Sequence, residues 1–279
     1  VRVTEISGKN VVITGGASGM GRLFALKTAR QGATVVIYDL DAGTINDVVE
    51  EIKEITGRDA HGFVCDVSDR EAVYRTADEV QDLVGPVDVL FNNAGVVSGR
   101  RLMEIPDEKI EAVMNVNVLA LYWVTKSFLP DMLARNSGHI VTMASAAGLL
   151  GVDRQTDYAA SKSAAIGFTR SLRVELKQTG HTGVKTTIVE PFFVNTGMFE
   201  GVKTRFPSIL PILDQDYVTD RVIEAVRRNK QDLKMPPIVN LVPGLQLLPV
   251  NIFDWIMDFL GVNDSMDEFR GRETEKHIR

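Results

Sequence analysis

A chain of 279 residues, 44% hydrophobic and 24% charged, is long enough for one large α/β domain or two small ones. Its net charge of −6 and pI of about 5.4 exclude the basic surplus that nucleic-acid binders carry. A single cysteine, Cys65, rules out an intrachain disulfide, and four histidines with no H-E-x-x-H or C-x-x-C spacing give no reason to expect a metal.

The first ten residues are polar and lack an apolar signal core, which together with the lone cysteine leads us to expect a cytoplasmic location. Residues 10–14 (Asn-Val-Val-Ile-Thr) read as a buried parallel strand. Next come Thr14-Gly15-Gly16-Ala17-Ser18-Gly19-Met20-Gly21 and a helical stretch over 22–31. Strand, glycine turn and helix in that order form a phosphate cradle. The glycines let backbone approach a pyrophosphate, and the helix N-terminus offers free N–H groups. The spacing here is G-x-x-x-G-x-G rather than G-x-G-x-x-G. A second strand over 34–38 ends at Asp39, about 20 residues beyond the turn, where an acid accepts hydrogen bonds from ribose hydroxyls and repels a 2′-phosphate. Ser18 stands where a basic residue would help bind that phosphate, so NAD is expected ahead of NADP, with Arg22 the one cation placed to favour NADP.

Residues 41–56 form an amphipathic helix stopped by Gly57, and 60–64 a third strand leading to Asp66. The next helix, 68–84, is expected to start at a Ser68 cap with Glu71 completing a capping box. A fourth strand over 87–91 runs into Asn92-Asn93-Ala94-Gly95. A long helix over 107–135 carries Asn115 and Asn117, which are unfavourable inside a helix unless surface-placed or aimed at a polar, water-holding site. A fifth strand, 138–143, ends near Ser145, and a sixth, 184–190, is stopped by Pro191. This alternation predicts an α/β fold: one Rossmann-type, doubly wound parallel sheet of about seven strands flanked by helices. Gly15, Asp39, Asp66 and Asn93 all fall at C-terminal strand ends, where such sheets bind ligands.

Between the fifth and sixth strands, a helix over 154–178 carries Tyr158 and Lys162. Residues four apart are neighbours on a helix. A cation beside a phenol favours the phenolate, which suits the tyrosine to proton exchange with an alcohol. Oxidation also needs a hydride acceptor, and the glycine turn provides for one.

Together Thr14-Gly15-x-x-x-Gly19-x-Gly21, Asp66, Asn92-Asn93-Ala94-Gly95, Asn117, Ser145 and Tyr158-x-x-x-Lys162 resemble the short-chain dehydrogenase/reductase family over residues 9–228. The stretch Phe193-Val194-Asn195-Thr196-Gly197 looks like members acting on retinoids and 17β-hydroxysteroids, whose animal forms often carry an N-terminal membrane anchor. The resemblance implies that Tyr158 is the general acid/base and that Lys162 lowers its pKa and holds the nicotinamide ribose. It implies that Ser145 bonds the substrate oxygen and that Asn117 fixes a relay water. On the cofactor side it implies contacts from Gly15, Ser18, Gly19, Met20 and Gly21, from Asp39, from Asp66, Val67 and Asn93 around the adenosine, and from Tyr158 and Lys162 at the nicotinamide end. Val194 and Thr196 would meet the carboxamide. One departure is Pro191-Phe192 where the family usually has Pro-Gly.

Downstream, Met198, Phe199, Val202, Phe206, Ile209, Leu210, Ile212 and Leu213 fall in the segment (197–216) that is the mobile lid in this family. With Leu149, Leu150 and Val152 they either line a pocket for a lipophilic alcohol or ketone or pack against one another. Residues 236–262 place Ile252, Phe253, Ile256 and Leu260 on one helical face, expected to pack on the subunit or a partner, then to cover the substrate mouth, and least of all to touch a membrane surface. Residues 263–279 are polar and expected to fray.

The expectation is one domain over 1–279, with core 9–242, lid 197–216 and C-terminal extension 236–279. It is a homodimer or homotetramer through helices 107–135 and 154–178. Its activity is NAD-dependent interconversion of alcohol and carbonyl on a lipophilic substrate. Reduction of an acyl-thioester or sugar is the alternative within the family, and non-catalytic nucleotide binding the alternative outside it.

Overall fold

Short β-branched runs and amphipathic stretches alternate along the chain, and each pair becomes a parallel strand and the helix that covers it. The computed structural model describes residues 4–271. In chain order the elements are β1 (Asn10–Thr14), α1 (Gly19–Arg30), β2 (Thr34–Asp39), α2 (Ala42–Thr56), β3 (Ala60–Val64), α3 (Arg70–Val84) and β4 (Val89–Asn92). There follow α4 (Asp107–Met114), α5 (Ala120–Ala134), β5 (Gly138–Met143), α6 (Thr156–Gln178), β6 (Val184–Pro191), β7 (Val194–Asn195) and β8 (Leu213–Asp214). The last are α7 (Gln215–Arg227), β9 (Asp232–Met235), α8 (Val242–Leu245) and α9 (Val250–Phe259).

Seven strands form one sheet in the order β3-β2-β1-β4-β5-β6-β9, every pair parallel. Six are the expected strands, and β9 supplies the seventh. The chain winds outward from β1 to β3, returns to β4 on the other side of β1, and winds outward again. That reversal opens a crevice above the C-terminal ends of β1 and β4, where open α/β sheets bind ligands. Central strands are buried on both faces, so their apolar runs are continuous. Phe24, Ile37, Ile52 and Val222 pack under α1, α2 and α7 on one face. Val36, Leu90, Phe128 and Leu172 pack under α3, α5 and α6 on the other.

Four local expectations are corrected. Helix α3 is capped by Asp69, whose carboxylate accepts from the N–H groups of Glu71 and Ala72; Ser68 is engaged instead by Asp66. The long helix over 107–135 is not uniform: residues 115–119 widen into a π-helical turn between α4 and α5, with Asn117 buried in it. On α9, Phe253, Ile256 and Leu260 pack inward as expected, but Ile252 is exposed. Residues 263–271 do not fray. Ser265 and Met266 are buried, and Arg270 donates its N–H to the Glu200 carbonyl at 2.8 Å. The remainder of the expected frayed tail, 272–279, lies outside the described residues.

Candidate active site

The glycine turn is held by β4. Thr14 Oγ1 accepts the N–H groups of Asn93 and Ala94 at 3.0 and 3.1 Å. Asn93 Nδ2 donates to the carbonyls of Thr14 and Gly15 at 2.9 and 3.1 Å. Space inside the turn is tight: a Cβ at Gly21 would lie 1.9 Å from the Gly15 carbonyl oxygen, and Gly15 itself has φ +62°. Only glycine fits both positions. The turn delivers the N-terminus of α1 to the crevice. From the end of β2, Asp39 reaches across it, with Oδ2 accepting the Ala17 N–H at 2.9 Å and Oδ1 accepting the Leu40 N–H at 2.8 Å. Asp66 Oδ1 accepts from the Ser68 N–H and hydroxyl. Arg22 turns to α2 and pairs with Glu51.

At the other end of the crevice, β5 delivers Ser145 and α6 delivers Tyr158 and Lys162. Ser145 Oγ donates to the Pro191 carbonyl at 3.4 Å and accepts from the Ala147 N–H at 3.2 Å. Lys162 Nζ donates to the Met143 carbonyl at 2.8 Å and stands 5.5 Å from the centre of the Tyr158 ring. The helical spacing therefore puts phenol and ammonium side by side, both buried. Their electrostatics differ from the expectation. Burial pushes the Tyr158 phenol above its ordinary range, against a hydrogen bond with Ser145 that pulls it down, and burial pushes Lys162 down to about 8. Desolvation opposes either charge, and in the phenol it outweighs the lowering by Ser145.

Asn117 sits behind these groups. Its amide donates to the Val96 carbonyl and to Ser161 Oγ at 2.9 and 3.0 Å, and its Oδ1 accepts the Val96 N–H at 2.9 Å. A Cβ on Gly95 would be 3.4 Å from both Asn117 Oδ1 and Lys162 Nζ, so Gly95 lies against both the asparagine and the lysine.

One continuous cleft of about 1150 Å³ joins the two ends. Gly15, Ser18, Met20, Gly21, Asp39, Asp66, Val67, Asn93, Ser145, Tyr158, Lys162, Val194 and Thr196 all line it. Gly19 and Asn117 do not. Phe192, the departure from Pro-Gly, lines the cleft and packs edge-on against Phe193 at 4.7 Å. Of the apolar residues after Thr196, Met198 and Phe199 line the cleft, Val202 and Leu210 pack inward, and Ile209 and Ile212 are exposed. Leu149 and Leu150 lie off the cleft and line a separate hollow with Leu248 and Phe253. Sequence reasoning missed Thr14 as the anchor of the turn, a role its place at the end of β1 makes legible. It also missed Phe269, which lines the cleft from a stretch whose mean polarity hides it.

The match to known proteins is extensive. A family model described as short chain dehydrogenase matches residues 9–205. Epidermal retinol dehydrogenase 2 of Mus musculus is 42% identical over 270 residues, spanning 96% of this chain and 87% of that protein. Retinol dehydrogenase 10-B of Danio rerio is 40% identical over 296 residues, spanning 98% and 88%. Among solved structures, a short chain dehydrogenase/reductase from Burkholderia phymatum in complex with NAD superposes with a TM-score of 0.77 at 31% identity, covering 86% of this chain and 93% of that one. A metagenomic short-chain oxidoreductase in complex with NADP gives 0.71 at 29%, covering 83% and 98%. These relatives overturn the cytoplasmic expectation. They are animal retinol dehydrogenases, a membrane-associated group, so a cytoplasmic location is not supported. One helical stretch, Asp107–Ala134, is also long and apolar enough to cross a membrane by length and composition, though 44% of its most apolar window is buried inside the fold.

Proposed function

This chain belongs to the short-chain dehydrogenase family, and we propose that it interconverts a lipophilic, retinoid-like alcohol and its carbonyl with NAD, through Tyr158, Lys162 and Ser145. It is an alcohol dehydrogenase/reductase with a nicotinamide cofactor. The observation that carries the reading is the shared cleft. The Tyr158–Lys162 pair and Ser145 open on the same space as the glycine turn and Asp39.

When bound, the nicotinamide supplies the acceptor or donor of hydride at the substrate carbon. The residues of this chain do the rest. Gly15, Ser18, Met20 and Gly21 hold the pyrophosphate at the N-terminus of α1, with Gly19 (φ +51°) turning the backbone between them. Asp66, Val67 and Asn93 face the adenosine, and Val194 and Thr196 face the carboxamide. Asp39 takes the ribose hydroxyls, and two observations support NAD over NADP: Asp39 lines the cleft, and Arg22 is paired with Glu51. Tyr158 exchanges the proton on the substrate oxygen, and Ser145 donates a hydrogen bond to that oxygen as charge develops on it. Burial disfavours the phenolate or the ammonium alone, but a cation within about 6 Å favours the anion. Lys162 thereby carries the charge that lets Tyr158 ionise, and it holds the nicotinamide ribose. Asn117 serves the site by position: it ties Val96 in place beside Lys162, and a water held there relays protons to the lysine.

In this reading residues 9–242 are the core of one catalytic domain, 197–216 its lid and 236–279 its extension. Exposed Leu119 and Tyr122 on the α4–α5 stretch and Val174 on α6 support a homodimer or homotetramer through those helices.

The test is the change in cofactor absorbance, in both directions, with a panel of retinol, steroid and medium-chain alcohols beside acyl-thioesters and sugars, with NAD(H) and NADP(H) run side by side. We expect turnover of the lipophilic alcohols with NAD. Turnover confined to acyl-thioesters or sugars, or to NADP, would refute the assignment.

A further inference from the structure

We propose that the C-terminal segment 262–271 is a wall of the substrate site, and that Phe269 sets the length of apolar substrate the enzyme accepts. The proposal rests on the reading that the cleft binds a lipophilic alcohol. Three rings run outward from the chemistry. The Phe199 ring stands edge-on to the Tyr158 ring at 5.6 Å, and the Phe269 ring is tilted against Phe199 at 6.4 Å. All three line the cleft. An apolar chain whose oxygen reaches Tyr158 therefore runs along Phe199 and meets Phe269 at its far end.

Phe269 is seated by two loops from distant parts of the sequence. Gly99, after β4, has φ +68°, and a Cβ there would lie 1.9 Å from Phe269 Cε1. No larger residue leaves room for that ring. On the other side the segment is tied to the loop after β7. Arg270 donates its N–H to the Glu200 carbonyl at 2.8 Å, the Lys203 N–H donates to the Ser265 carbonyl at 3.2 Å, and Lys203 Nζ meets Glu268 Oε1 at 2.6 Å. The Glu268 carbonyl closes on Gly201, where a Cβ would lie 2.0 Å away. Val262 and Met266, four apart, anchor the segment in the apolar cluster that also holds Phe192 and Phe193. A tail trailing over the surface would need neither glycine nor a buried methionine.

Two substitutions at one position test this in the full-length protein: Phe269→Ala opens the end of the row and Phe269→Trp shortens it. The readout is the ratio of kcat/KM for dodecanol to that for hexanol, with NAD. A change of one methylene's space in an apolar pocket is worth about tenfold in discrimination. We expect Phe269→Ala to raise the ratio by about tenfold and Phe269→Trp to lower it by about as much. Shifts in the same direction, as simple destabilisation would give, or no shift in either, would overturn the proposal. Binding of a fluorescent long-chain alcohol, read without turnover, is expected to follow the same order. An enzyme that turned over no alcohol would sink the functional reading, while this binding series would still decide the wall.

Discussion

In the proposed mechanism Tyr158 and Lys162 work the proton chemistry and Asp39 selects the cofactor, and each sits in surroundings that sequence patterns do not name. Tyr158 and Lys162 meet because i and i+4 share a helix face, yet what tunes them is burial: phenol pushed up, ammonium down to about 8. Asp39 is both a wall of the cleft and the acceptor for the Ala17 N–H. Asp39→Asn retains an oxygen for that N–H and loses the charge. Like charges a few ångströms apart near a surface repel by about 1–4 kcal/mol. The variant is therefore expected to raise the NADP-to-NAD ratio of kcat/KM by about tenfold or more, measured with one alcohol. An unchanged ratio would show that Asp39 does not face the ribose.

Among elements, β5 connects the core to the site. It ends near Ser145, and at its start His139 is fully buried, bonded to Thr187 Oγ1 on β6 at 2.8 Å and to Thr4 Oγ1 at 3.2 Å. Burial, with a smaller push from Lys185, holds His139 down to about 3 from its ordinary 6.5. The unfolded chain thus binds a proton on this histidine between pH 6.5 and 3 while the native chain does not. The resulting stability is fully present above pH 6.5 and is lost as pH falls toward 3. His139→Gln is expected to flatten the decline in urea-unfolding stability across that window; a parallel decline in both proteins would contradict it.

What could be read from the sequence also sorts by element. The strands were legible because parallel strands buried on both faces leave unbroken β-branched runs, as at Val11-Val12-Ile13. The start of α3 was misread because Ser68 and Asp69 are both good caps, and only the fold shows Ser68 already taken by Asp66. The π turn at 115–119 carries no signal beyond two asparagines in a helix. The seat of 263–271 was hidden by mean polarity, although Val262, Met266 and Phe269 recur at spacings of four and three. In the site, the motif residues were legible one by one. That Asn93 and Thr14 lock the turn depends on β1 and β4 being adjacent, which follows from the strand order rather than from any local pattern.

For the whole molecule, the reversal of the sheet between β1 and β4 is what puts the glycine turn at residues 14–21 opposite Tyr158, far along the chain. The later parts of the chain, the loop after β7 and the segment after α9, close over the same crevice from the outside. In the proposed mechanism the Tyr158 hydroxyl exchanges the substrate's proton, while the rest of the cleft carries most of the cofactor's binding. The most direct measurement is kcat for NAD reduction by retinol in the native enzyme and in Tyr158→Phe, with the NADH dissociation constant determined on both. We expect a fall in kcat of about 10²- to 10⁴-fold in Tyr158→Phe, with NADH binding within about twofold of the native value. Equal turnover by the two proteins would contradict it.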